Sequence, residues 1–186
     1  MGFAEFTIGL LPIEDSPLYQ GNDLRSLISL TEEIQTKWPI LHPDQIEMER
    51  AFPPLPDNQI ILVAEQSDSL FQVYLRLGNL RSDDILMSLH FAYCNPRRVI
   101  EPVLGLAEWL MATYMLYCRI EPDLPPEFQT KGDLIFNATG LHQILLPCYD
   151  YNRRFWQLDF GSVEEMPLRP GDAVAHFLTP LVSNVS

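Results

Sequence analysis

The chain has 186 residues, with 25 Asp and Glu against 12 Lys and Arg, for a formal net charge of −13. A surface of that sign repels nucleic acid and anionic membranes and attracts cationic partners, which sets nucleic-acid and membrane-surface binding aside. With 47% apolar residues, including 10 Phe and 3 Trp, the chain is too rich in core-forming side chains for a disordered acidic tail, and its length suits one domain of roughly 100–200 residues.

Along the chain, the opening segment from Phe3 to Leu10 has strand character and runs into Pro12 and the loop from Glu14 to Pro17. Asn22 or Asp23 can cap a helix whose apolar positions Leu24, Leu27, Ile28, Leu30 and Ile34 recur at three- and four-residue steps, and Trp38-Pro39 ends it. Pro43-Asp44 can start a short second helix carrying Ile46 and Met48. Pro53, Pro54 and Pro56 then make residues 52–58 an extended linker, where a subdomain seam would fall.

Gln59 to Glu65 and Leu70 to Leu77 read as two strands of an antiparallel hairpin, the second alternating strictly enough to have one buried and one wet face. Residues 82–93 carry both a helix start at Ser82-Asp83-Asp84 and a strand-like alternation through Met87, Leu89 and Phe91, and the helix is preferred. Asn95-Pro96 opens a long buried helix, broken or kinked at Pro102 and continuous from about Val103 to Leu116. Pro122, Pro125 and Pro126 form a rigid loop.

The last third reads as three short strands, Asp133 to Phe136, Leu141 to Leu146 and Arg154 to Phe160, with Tyr149 to Arg153 as a turn, followed by an apolar segment from Ala173 to Leu181. The expected fold is α+β: a single domain, residues 1–186, with an antiparallel sheet packed against two main helices.

The N-terminus (Met1, Gly2, Phe3, Ala4, Glu5) has neither the basic nor the long apolar region of a secretory signal, and no run approaches the ~20 apolar residues that span a bilayer. Cys94, Cys118 and Cys148 are widely separated in apolar surroundings, as reduced core thiols are. A cytoplasmic protein is expected, and the glycosylation-type triplets at Asn137 and Asn184 therefore carry little weight.

No phosphate-binding, dinucleotide-binding, zinc-protease, nucleophile-elbow or paired-cysteine motif occurs. His90 and Cys94, four apart, would set an imidazole beside a thiol if both lay on a helix, but their apolar neighbours favour a core cysteine. His42, His90, His142, His176 and the cysteines show no metal-ligand spacing, so neither a metal nor another cofactor is expected. The carboxylate pairs Asp83-Asp84 and Glu164-Glu165 read as caps and solvated surface, and Arg97-Arg98 at a helix start calls for a carboxylate partner.

Two surfaces stand out as candidates for binding a protein. Twelve acids against three bases in residues 1–70 place −9 of the net charge there, with Glu32, Glu33, Asp44, Glu47 and Glu49 as the acidic face. Tyr149, Asp150, Tyr151, Arg153, Arg154 and Trp156 combine the residue types that dominate binding hot spots.

The expected function is a non-enzymatic acidic binding protein that sequesters a partner with a basic surface, as immunity-type inhibitors do when they cover a toxin's positively charged active site. A secretion or effector chaperone, which would be a homodimer with an apolar groove, is the second expectation. An enzyme with a family-specific site is the third.

Overall fold

Phe6, Ile8 and Leu10 alternate with Thr7, Gly9 and Leu11 along the first strand, and this period of two gives the sheet one apolar face. In the computed structural model, residues 5–20, 23–24, 27–43, 59–65, 72–78, 87–92, 100–120, 125–127 and 134–160 are described. The strands are β1 (Glu5–Pro12), β2 (Tyr19–Gln20), β3 (Asp23–Leu24), β4 (His42–Pro43), β5 (Gln59–Glu65), β6 (Gln72–Gly78), β7 (Met87–Ala92), β8 (Leu116–Ile120) and β9 (Leu134–Phe136). The helices are α1 (Leu27–Lys37), α2 (Ile100–Tyr114) and α3 (Leu141–Phe160), the last entered through a 3₁₀ turn at Ala138–Gly140.

Seven strands form one sheet in the order β4-β5-β6-β7-β1-β8-β9, and every neighbouring pair is antiparallel. β2 and β3 pair separately. The α+β architecture matches the sequence expectation.

β1 lies between β7 and β8 and is antiparallel to both, so β7 and β8 run in the same direction with β1 between them. Such a connection must cross over the sheet, and α2 supplies the crossover. Its Val103, Leu104, Leu106, Ala107, Leu110, Met111 and Tyr114 are buried in one cluster with Phe6, Ile8, Leu10, Leu62, Leu75, Leu77, Met87 and Leu89 from the sheet. α1 adds Leu27, Leu30 and Ile34, and Trp38 just beyond it meets Trp109 of α2 edge-on, with ring centroids 6.3 Å apart. Each such side chain contributes about 1.5–3 kcal/mol by leaving water.

The other sheet face is mixed. Arg76 is exposed and Ser88 and His90 are half-buried, as the alternation implies, but Ile61 and Val63 on the same face are 4% exposed, so that face is not uniformly wet.

Several local expectations are corrected. Residues 87–92 are strand rather than helix: Met87 and Leu89 enter the core while β7 pairs on both sides, and the ladder satisfies backbone groups that an isolated helical turn would not. The strands expected at 141–146 and 154–160, and the turn between them, are one helix, because Leu141, Leu145, Cys148, Tyr149 and Asn152 are buried at three- and four-residue spacing. The segment before it is a 3₁₀ entry, with the Gly140 N–H donating to the Asn137 carbonyl at 3.0 Å.

In α2, Pro102 falls in the first turn, where no intrahelical donor is required, so the helix begins at Ile100 without a break there. It ends at Tyr114 rather than Leu116, because Met115 turns to φ 51° and Leu116 opens β8. Asp23 pairs in a strand instead of capping α1, Ile28 faces solvent at 67% exposure, and Pro43 closes β4 instead of opening a helix. The rest of that expected helix, the linker 52–58, residues 66–69, 82–86, 93–99 and 173–181 lie outside the described residues.

One buried polar side chain ties these junctions together. The Ser16 hydroxyl donates to the Tyr114 carbonyl and accepts from the Leu18 N–H at 3.3 Å, fixing the loop after β1 to the end of α2.

Three substitutions test this account by urea unfolding. Gly105→Ala fills open space in the interior of α2 and should add about 1 kcal/mol. Met115→Gly relieves a left-handed residue whose side chain is 42% exposed and should add about 1 kcal/mol. Leu110→Ala, at a fully buried position, should cost about 2–5 kcal/mol.

Candidate functional site

The helical period of α3 divides the aromatic and arginine-rich segment into two faces. Tyr149 points into the core, fully buried, with its ring edge-on to Phe6 at 5.6 Å. Arg153, 7% exposed, donates from Nη1 to the Tyr149 hydroxyl at 3.4 Å, and Asn152 Nδ2 donates to the Cys148 carbonyl at 2.8 Å. Tyr149 and Arg153 of the expected binding cluster thus lie on the core side of α3 rather than on its exposed face.

Asp150, Tyr151 and Arg154 lie on the opposite side. With Gln143, Leu146 and Pro147 they share a helix face at steps of three and one, and they line an open cleft of about 520 Å³. Pro125 and Glu127, from the turn at 125–127, and His142 complete its wall. The proline-rich loop was legible in the sequence, but its meeting with α3 was not, because that segment read as strands and a turn.

The cleft has an acidic rim. His142 stands over the solvent-facing stripe of α2, its Nδ1 3.9 Å from Glu101 Oε2 and its Nε2 3.7 Å from Glu108 Oε2. These are ion pairs when the imidazole is protonated, and with all three side chains about half exposed they contribute little to stability. Glu101 and Glu108 are seven residues apart, two helical turns, so they bracket the imidazole from one stripe.

The acidic face is partly described. Glu32 is exposed and Glu33 half-buried on α1, beside exposed Ile28, while Asp44, Glu47 and Glu49 lie outside the described residues, as does the side chain of Trp156.

A second polar group lies on the sheet. His90 Nε2 is 2.9 Å from Ser88 Oγ, and its Nδ1 is 3.2 Å from Thr7 Oγ1 on the neighbouring strand. A neutral imidazole donates to one hydroxyl and accepts from the other, which holds the ring in place. His90 sits on a strand, so the helical spacing that would have set it beside Cys94 does not exist, and Cys94 itself lies outside the described residues.

Cys118 and Cys148 are free thiols in the core. Burial, and then the negative charge of Glu127, push the Cys148 thiol up to about 11, and burial with the neighbouring Cys148 raises Cys118 further. Among the described residues no group of three or more His, Cys, Asp or Glu is arranged to hold a metal, and no helix is long and apolar enough to cross a membrane.

Both thiols should resist iodoacetamide in the native protein at neutral pH and react once it is unfolded in denaturant, as mass spectrometry would read. Because the folded state holds them protonated, their contribution to stability is complete below the ordinary thiol value of 9.0 and is lost as pH rises toward about 11. The urea midpoint should fall across that window, and fall less in Cys148→Ala.

Comparison of the chain with protein-family models, with curated proteins and with solved structures finds no match, so a functional reading rests on the cleft and the charge described above.

Proposed function

We propose that this chain is a non-enzymatic protein-binding domain that captures a partner with a basic surface, in the manner of an immunity-type inhibitor covering the positively charged active site of a toxin. The observation that carries the reading is the charge: −13 overall, with −9 in residues 1–70. A field of that size raises the encounter rate with a cationic partner by about 10–10³-fold at low ionic strength.

Two features of the fold support it. Glu32 and Glu33 project from a helix whose other side is anchored by Leu27, Leu30 and Ile34, so the charge is held on a rigid element. The open cleft on α3 adds a recessed surface with an aromatic side chain and an acidic rim, the combination from which interface anchors are built.

The test is capture from a native lysate followed by association kinetics. Neutralising Glu32, Glu33, Asp44, Glu47 and Glu49 to their amides should slow association about tenfold and change dissociation little, because steering acts on the approach. An unchanged association rate, or a captured partner that is acidic, contradicts the reading.

A further inference from the structure

Pro147 lies seven residues into α3 and has no N–H, so the Gln143 carbonyl one turn earlier receives no hydrogen bond from residue 147. Both residues line the α3 cleft. Glu127 and Asp150 line the same cleft, and its remaining walls include Tyr151 and the flat ring of Pro147 itself. The lining therefore brings two acidic residues, one from the 125–127 turn and one from α3, together with a helix turn that lacks one backbone hydrogen bond, beside apolar side chains.

We infer that this cleft is the receptor for an arginine side chain of the partner, its guanidinium shared among Glu127, Asp150 and the Gln143 carbonyl and flanked by Pro147 and Tyr151. The assignment rests on the reading of the chain as a binder of basic partners. Arginine suits the cleft better than lysine because its planar fork offers several donors at fixed angles and stacks on aromatic and proline faces, whereas an ammonium is a compact, strongly hydrated point charge. Glu101 and Glu108, beside His142 of the cleft wall, add negative potential near it.

Arg154 also lines the cleft, four residues beyond Asp150, the spacing at which helix side chains are neighbours. Its positive charge there opposes an incoming guanidinium and attracts an anion. Removing Arg154 therefore favours a cationic guest and disfavours an anionic one, which separates the two chemistries.

The experiment is a nuclear magnetic resonance titration of the full chain with arginine blocked at both ends as its N-acetyl methylamide, with blocked lysine and blocked glutamate in parallel. Blocked arginine should give saturable shifts confined to residues 125–127 and 142–154 and should bind more tightly than lysine. Glu127→Gln and Asp150→Asn should each weaken it about tenfold, the loss of one charge-assisted hydrogen bond. Arg154→Gln should tighten it.

Pro147→Ala restores the N–H at 147, so it should weaken arginine binding while raising the thermal midpoint, an outcome that misfolding cannot produce. Absence of saturable shifts in the cleft, or binding of blocked glutamate that Arg154→Gln abolishes, overturns the assignment. If the captured partner binds Glu127→Gln/Asp150→Asn as fast and as tightly as the unaltered chain while salt still slows its association, the cleft assignment falls and the basic partner stands. If blocked arginine fills the cleft but no basic partner is captured, the wider reading falls and the arginine site stands as a property of the cleft alone.

Discussion

β1 is hydrogen-bonded along both edges, six residues of it to β7 and four to β8. Its insertion between strands that come later in the chain sets the rest of the architecture. β7 and β8 must run in the same direction, the chain must cross the sheet to join them, and α2 is that crossing. Eight of the fifteen residues of α2 are buried, and Glu101, Glu108 and Ala112 are exposed along it. α3 then closes the core with Tyr149 against Phe6, a residue of β1 itself.

That packing also explains the cleft. Once Leu141, Leu145, Cys148 and Tyr149 are committed to the core, the period of the helix obliges Gln143, Pro147, Asp150, Tyr151 and Arg154 to face away from it, with Leu146 at the boundary and still packed against the core. A segment that reads as one cluster of aromatic and charged residues becomes a structural half and a surface half. The buried half orients the exposed half, since the Tyr149 hydroxyl accepts from Arg153 and the ring beneath is held by β1.

The sequence was most legible where one periodicity ran without competition. β1, β5, β6 and α1 were all foreseen, as was the strand at 134–136, because apolar alternation or three- and four-residue spacing was continuous there. It was least legible where the two signals overlapped. Met87 to Ala92 follows a helix-start signal, and pairing with β1 and β6, which is non-local, decided the outcome. In α3, Ile144-Leu145-Leu146 and Pro147 argued for a strand and a break. Burial of a twenty-residue helical face outweighed both, at the expense of the hydrogen bond that Pro147 removes. Of the candidate site, Asp150, Tyr151 and Arg154 were found by residue type, but Glu127, Gln143 and Pro147 were not, because only the fold brings the 125–127 turn onto α3.

In the proposed reading, charge and cleft act together on a cationic partner, through the −9 net charge of residues 1–70 and a recess on α3 lined by Glu127, Asp150, Pro147 and Tyr151. The most direct measurement is the association rate constant of the unaltered chain with its captured partner across a series of ionic strengths. Steering by the acidic surface requires the rate to fall steeply as salt rises while dissociation stays nearly constant. A rate independent of ionic strength would contradict the account.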